Sequence, residues 1–273
     1  MSAHNTELNI SGGRITLEKL SRYLMYISIG IAAGLLSGLF GIGGGTIIVP
    51  ALVLWAGMSQ RLAAGTSVTA ILPTAIVGSL TYNLSGNVDW VAAGCLAVGI
   101  VVGAQLGSVL LARLSSSVLQ WGFIAFLMVT IISLWFVVPQ REQALQLTWI
   151  TAMLLVVTGV CAGVLSGVMG LGGGIIVVPA LIFFFGSNDL SAKGTSLSMM
   201  VPGSISATIG NLVRRNLDVR AACFVGIGAC ISAPLGVLTA GLITPLMSNV
   251  LFSMYLVIIC AQMTVTAWRQ RKI

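Results

Sequence analysis

Residues 34–52 read GLLSGLFGIGGGTIIVPAL, and residues 163–181 read GVLSGVMGLGGGIIVVPAL. The two stretches lie 129 residues apart and are identical at 13 of 19 positions, and most of the differences exchange one apolar residue for another. The same shift continues beyond them without a gap. Ala63-x-Gly65-Thr66-Ser67 matches Ala192-x-Gly194-Thr195-Ser196, Pro73 matches Pro202, Asn87-x-Asp89 matches Asn216-x-Asp218, and Gly107 matches Gly236. Self-similarity at one fixed offset marks an internal duplication. The chain therefore reads as two homologous repeats, 22–138 and 148–268. A polar linker (139–147) joins them, and a polar N-terminal tail (1–21) and a basic C-terminal tail (269–273) flank them.

Composition fixes the solvent of these repeats. Of 273 residues, 57% are hydrophobic and 7% charged, with mean hydropathy +1.06. A soluble domain carries about 25% charged residues, and 13 Lys/Arg with 6 Asp/Glu cannot cover a water-facing surface. This excludes a soluble globular protein, a nucleic-acid binder and a disulfide-stapled module. The fold class is all-α: a polytopic integral membrane protein of about 8–10 spans. The lipid bilayer is its first partner. Thirty-three glycines fit close helix crossings in lipid. The net charge of +7 sits between apolar runs and at the ends, as orienting loop charge does.

Each repeat divides into five apolar runs. They cover about 23–40, 46–57, 62–84, 89–112 and 117–138 in the first, and 148–169, 175–186, 190–213, 218–242 and 246–268 in the second. The second run of each is only about 12 residues, about 18 Å as helix, against a hydrocarbon core of about 30 Å. It is a half-helix of a broken span or part of a re-entrant hairpin. With five crossings per repeat and both termini cytoplasmic, Lys and Arg fall 11 inside to 2 outside; with four crossings, 10 to 3. Both obey the positive-inside tendency. The first makes the repeats inverted, as in many secondary transporters.

The candidate site lies at the glycines. Gly43, Gly44 and Gly45, and Gly172, Gly173 and Gly174, interrupt apolar spans where helix is weakened by about 1 kcal/mol per glycine. Unwound backbone at membrane depth must face protein or a water-filled cavity. The half-helix that begins near Thr46 or Ile175 turns its N-terminal N–H groups toward that spot, an arrangement suited to an anion. Pro50 and Pro179 sit one turn on. Thr66, Thr69 and Pro73 fall on one helix face, Thr195, Ser198 and Pro202 repeat that face, and Ser67 and Ser196 stand beside them; these twinned hydroxyls are able to donate without charge. Arg61, Lys193, Asn83 and Asn211 are candidates for the mouth of a pathway. The plainer readings are a sharp bend at the glycines, Ser/Thr bonds back to their own helix, solvated charges at Arg61 and Lys193, and caps at the two asparagines. Asp89 and Asp218 read as helix N-caps, and Gln105 as a bridge between helices.

No carboxylate lies in the middle of a run, and Asp189 reads as a loop residue. The one histidine is His4. A triad, a zinc cluster or a phosphate loop cannot be assembled. The chain reads as a non-enzyme with no cofactor and no metal. The five cysteines (Cys95, Cys161, Cys223, Cys230, Cys260) lie inside apolar runs without a CxxC and read as packing residues.

Two copies of S-G-x-x-G-x-G-G-G-x-x-x-V-P-x-L, each followed by A-x-G-T-S, resemble the sulfite exporter TauE/SafE family over about residues 30–268. The resemblance implies transport of sulfur-containing anions such as sulfite or sulfonates across the bacterial cytoplasmic (inner) membrane. It points to Gly43–Gly45, Gly172–Gly174, Pro50, Pro179, Thr66, Ser67, Thr195 and Ser196 as the site. The expectation is a secondary transporter for a small anionic substrate, working by alternating access. A passive anion channel and a membrane subunit of an assembly or redox complex are the alternatives. The choice of anion, its direction, the coupling ion and homo-oligomerisation stay open at this stage.

Overall fold

The computed structural model describes residues 7–10, 13–135 and 148–270. The whole of the expected linker (139–147), the last residues of the first expected repeat (136–138), parts of the N-terminal tail and the end of the C-terminal tail lie outside the described residues. The N-terminal stretch forms an antiparallel hairpin, β1 (Glu7–Ile10) with β2 (Gly13–Thr16), and leads directly into helix α1 (Leu17–Phe40). Helix α1 thus starts before the apolar run does. Hydropathy marks the lipid-facing part of a helix, and its hydrogen-bond ladder runs on through Glu18, Lys19 and Arg22.

Nine further helices follow. They are α2 (Gly45–Leu54), α3 (Gln60–Leu84), α4 (Trp90–Arg113), α5 (Ser116–Trp135), α6 (Trp149–Met169), α7 (Gly174–Phe183), α8 (Asp189–Val213), α9 (Val219–Leu242) and α10 (Pro245–Gln270). Helices α2 to α5 and α7 to α10 start 129 residues apart. Helices α2 and α7 have 10 residues each, about 15 Å, and are half-helices. Among the described residues, five helices are long and apolar enough to cross a membrane: α1, α3, α4, α6 and α9. Helix α8 matches α3 in length but carries Asp189, Lys193 and several serines.

The long helices α3, α4, α6, α8 and α9 start at side-chain caps. Asp89 accepts from the N–H groups of Val91 (3.1 Å) and Ala92 (2.9 Å) at the start of α4, and Asp218 accepts from Ala221 N–H (3.1 Å) at the start of α9. Both match the sequence expectation. Asp89→Ala should lower stability by about 1 kcal/mol, read as a drop in melting temperature of the purified protein in detergent. An unchanged melting temperature would remove the cap from the account.

The repeats interlock instead of folding side by side. Helix α1 runs along α9, α4 along α6, and α3 against α8. The seams are lined with glycine. Gly30, Gly34 and Gly38 of α1 face the carbonyls of Val225, Ala229 and Ala233, while Gly159, Gly163 and Gly167 of α6 face those of Leu96, Ile100 and Ala104. The second set is the first shifted by 129 with the partners exchanged, so the repeats are related by a pseudo-two-fold axis. Apolar stripes face outward at twin positions, Val98, Val102 and Leu106 on α4 and Ile227, Ile231 and Leu235 on α9, all exposed. Stripes of this kind mark a multi-pass membrane protein.

Candidate functional site

Each glycine triplet turns the chain through the left-handed region. Gly41, Gly43 and Gly44 have φ of 71°, 79° and 77°, and Gly170, Gly172 and Gly173 have 76°, 77° and 86°. L-residues other than glycine are strained there. The half-helices α2 and α7 then start with no side-chain cap and no acidic residue in the first turn. No backbone carbonyl among the described residues accepts from the N–H groups of Ile42 to Thr46, or of Leu171 to Ile175. All ten residues are buried. Buried N–H groups without partners are costly, and here they are gathered at two positive helix ends.

The two breaks meet. A Cβ on Gly45 would lie 2.5 Å from the Gly170 carbonyl oxygen, and one on Gly174 would lie 2.6 Å from that of Gly41. Between them stand Ile71 and Met200, themselves twins and fully buried. A Cβ on Gly43 would meet Met200 Sδ at 2.8 Å and Ile71 Cγ2 at 3.1 Å; one on Gly172 would meet each side chain at 3.2 Å. The two were not singled out in the sequence, although their shared offset and their place between Thr69 and Pro73, or Ser198 and Pro202, were a readable signal.

The repeated hydroxyls tie each repeat to the other. Ser67 Oγ donates to Gly170 O (2.7 Å), and Ser196 Oγ donates to Gly41 O (2.9 Å). Thr66 Oγ1 accepts from Asp218 N–H (3.0 Å), and Thr195 Oγ1 accepts from Asp89 N–H (2.9 Å). Thr69 pairs with Thr208 (3.1 Å) and Ser198 with Ser79 (2.6 Å). Ser67, Ser196, Thr66 and Thr195 therefore hold the opposite repeat's backbone. Thr46 has no polar twin; it accepts from Tyr255 Oη at 2.8 Å. Pro50 and Pro179 are buried within α2 and α7. Ser37, one turn before the first break, is fully buried, and its hydroxyl has no partner among the described residues; sequence reasoning passed over it.

The residues assigned to a pathway mouth do not form one set. Asn83 Oδ1 accepts from Trp90 Nε1 (3.0 Å), which bridges α3 to α4. Asn211 is fully buried and donates to Ala207 O (3.0 Å). Arg61 is half-buried and donates to Leu114 O (2.9 Å). Lys193 is not a solvated loop charge. It is 2% exposed, sits inside α8 and pairs with Asp189 at 2.9 Å. Asp189, expected in a loop, opens α8 and is 1% exposed. The hydropathy pattern placed both at the edge of an apolar run; in the fold, Phe40, Val178, Pro179, Ile182, Ser248 and Phe252 stand around them. Gln105 does bridge helices, donating to Ser206 O (2.6 Å). Among the described residues, no group of three His, Cys, Asp or Glu is placed to hold a metal ion. The five cysteines are free thiols.

A family model for "Sulfite exporter TauE/SafE" matches residues 11–134 and 154–273. The chain is 26% identical over 199 residues to a "probable membrane transporter protein" of Bacillus subtilis, YdhB, covering 71% of this chain and 81% of that one. A "probable membrane transporter protein" of Haemophilus influenzae is 30% identical over 165 residues, covering 58% and 62%. The Bacillus subtilis protein YunE, of the same description, is 39% identical over 82 residues, 30% of each chain. The match thus spans less than two thirds of the latter two relatives. No solved structure matches the chain. The twinned glycine breaks, the apolar helices and a family match over both repeats converge, and the chain belongs to the sulfite exporter TauE/SafE family of membrane transporters.

Proposed function

We propose that the protein is a secondary transporter for small sulfur-containing anions such as sulfite or a sulfonate. Its inverted repeats would work by alternating access in the bacterial cytoplasmic membrane, with both termini cytoplasmic. The observation that carries this reading is the convergence, at the starts of α2 and α7, of N–H groups on buried residues that no backbone carbonyl among the described residues accepts from. Paired helix N-termini hold an oxyanion through dipoles and N–H bonds without a fixed charge. The serine hydroxyls then act as latches that keep the two breaks in register, and the backbone supplies the anion contacts.

Ile71 and Met200 fill the space between the loops, so an anion cannot pass while they stay there. A relative shift of the repeats would open this gap toward one side at a time. That favours a carrier over a continuous channel.

The test is uptake of radiolabelled sulfite, thiosulfate and a small sulfonate into proteoliposomes, with and without excess unlabelled anion inside. The expected result is saturable uptake of at least one anion, accelerated by preloading. Uptake linear in concentration and indifferent to preloading would mean a channel. No uptake above empty liposomes by folded protein would overturn the reading.

A further inference from the structure

The two repeats match closely around the breaks but differ in charge: Arg61 stands where the second repeat has Leu190, and Lys193 stands where the first has Ala64. Gly41 rests on Lys193, where an added Cβ would lie 2.6 Å from Lys193 Cα. In the other repeat, Gly170 rests in the same way on Ala64. One turn before Lys193 stands Asp189; one turn before Ala64 stands Gln60. The second repeat thus carries a buried ion pair where the first carries a neutral amide and a methyl group.

The first repeat builds the equivalent helix without such a pair. Helices α3 and α8 start 129 residues apart and have the same length, and Gln60 and Ala64 support the first of them without charge. A buried ion pair is in general a poor source of stability, because desolvation offsets the attraction. A buried Lys and Asp in a membrane protein more often mark a pathway.

The surroundings suit an oxyanion. Lys193 Nζ donates to Asp189 Oδ2 at 2.9 Å and to Ser248 Oγ of α10 at 2.9 Å. Beside them is a cavity of about 10 Å³, lined by Phe40, Pro179, Phe252, Asp189, Lys193 and Ser248. That is room for one water-sized group, such as a single oxygen. An ammonium is a compact point charge that binds an oxyanion without the planar geometry a guanidinium requires.

We propose that Lys193 is the cationic seat of the transported oxyanion and that Asp189 is its built-in stand-in. In the empty carrier the Asp189 carboxylate holds the ammonium. An arriving sulfite or sulfonate places one oxygen in the cavity and takes over that charge-assisted hydrogen bond, with Ser248 keeping the ammonium in place. The anion thus reaches a charged seat level with the first break before it meets the N–H groups. This inference rests on the transport reading above and adds a residue that only one repeat supplies.

The variants follow from the twin. Asp189→Gln with Lys193→Ala gives the second repeat the residues the first already uses, so it should yield folded protein in native amounts. Its KM for labelled sulfite in proteoliposomes should rise at least tenfold. Asp189→Asn alone removes the competing carboxylate and should lower KM severalfold. Opposite shifts of KM are not what a structural pair produces; losing one of those changes the amount of folded carrier and leaves KM alone. If the double variant keeps KM within twofold of the native protein, or if Asp189→Asn raises it, the seat is not at Lys193. If native protein in the same liposomes takes up neither sulfite, thiosulfate nor a sulfonate, the transport reading fails and this inference falls with it.

Discussion

Leucine in place of Gly34 or Gly163 should abolish folded protein, while leucine in place of Gly94 or Gly241 should be tolerated. At Gly163 an added Cβ would lie 2.6 Å from Ile100 O, 2.9 Å from Ala104 N and 2.9 Å from Gly103 Cα. At Gly34 it would collide with Ala229 O and lie 2.6 Å from Ala229 Cα. These are mainly backbone atoms, which cannot turn aside as a flexible side chain would. The helix must lift off its partner along the seam. Overpacking against side chains costs about 1–3 kcal/mol, and this case should exceed it. Close approach is also what holds helices together in lipid, where no hydrophobic force acts between them. At Gly94 and Gly241 nothing lies within 4 Å, and leucine gains about 1 kcal/mol of helix propensity over glycine. Yield and melting temperature of purified protein in mild detergent separate the two groups. A Gly163→Leu protein that melts with Gly94→Leu would mean the α4–α6 seam is looser than described.

Much of this architecture could be read from the 129-residue offset. The limits of α3, α7 and α8 lie within a few residues of the apolar runs, because hydropathy and helix length answer to the same bilayer. The breaks at Gly43–Gly45 and Gly172–Gly174 were legible because three adjacent glycines have few structural uses inside a span. Asp89 and Asp218 were legible as caps because capping is a local event. Partner choice was not legible. Nothing in the sequence of α1 says that it lies along α9, since a small-residue stripe fits any other such stripe. For the same reason Ser67 and Ser196 were read as facing a ligand, whereas they donate to Gly170 O and Gly41 O across the repeats. Asp189 was read as a loop residue and Lys193 as a pathway-mouth candidate or a solvated loop charge, because the contacts around them are not local: Ser248, which accepts from Lys193, lies 55 residues further along the chain.

Alanine at both Gly43 and Gly172 should remove transport while leaving a folded protein. The substitution strains the backbone, because φ is 79° and 77° at these positions. The cost is about 1–2 kcal/mol at each, so about 2–4 kcal/mol in all. It should not force the helices apart, because the new methyl groups meet side-chain atoms of Ile71 and Met200 and not backbone, and the unbranched Met200 is the one that can give way. Gly44→Leu with Gly173→Leu is a cruder change; at Gly44 a Cβ already lies 2.7 Å from Ala33 O, and loss of folding is expected. In the milder pair the methyl groups crowd Ile71 and Met200 between the two breaks, where the anion is proposed to rest. Uptake per folded carrier should fall more than tenfold, with the melting temperature lowered but the transition still cooperative. Glycine restored at one position should recover part of the activity, because the twin break is then clear. If the doubly substituted carrier moves anion at the native rate, the N–H groups of α2 and α7 do not hold it, and the glycines serve only to let the chain turn between α1 and α2 and between α6 and α7.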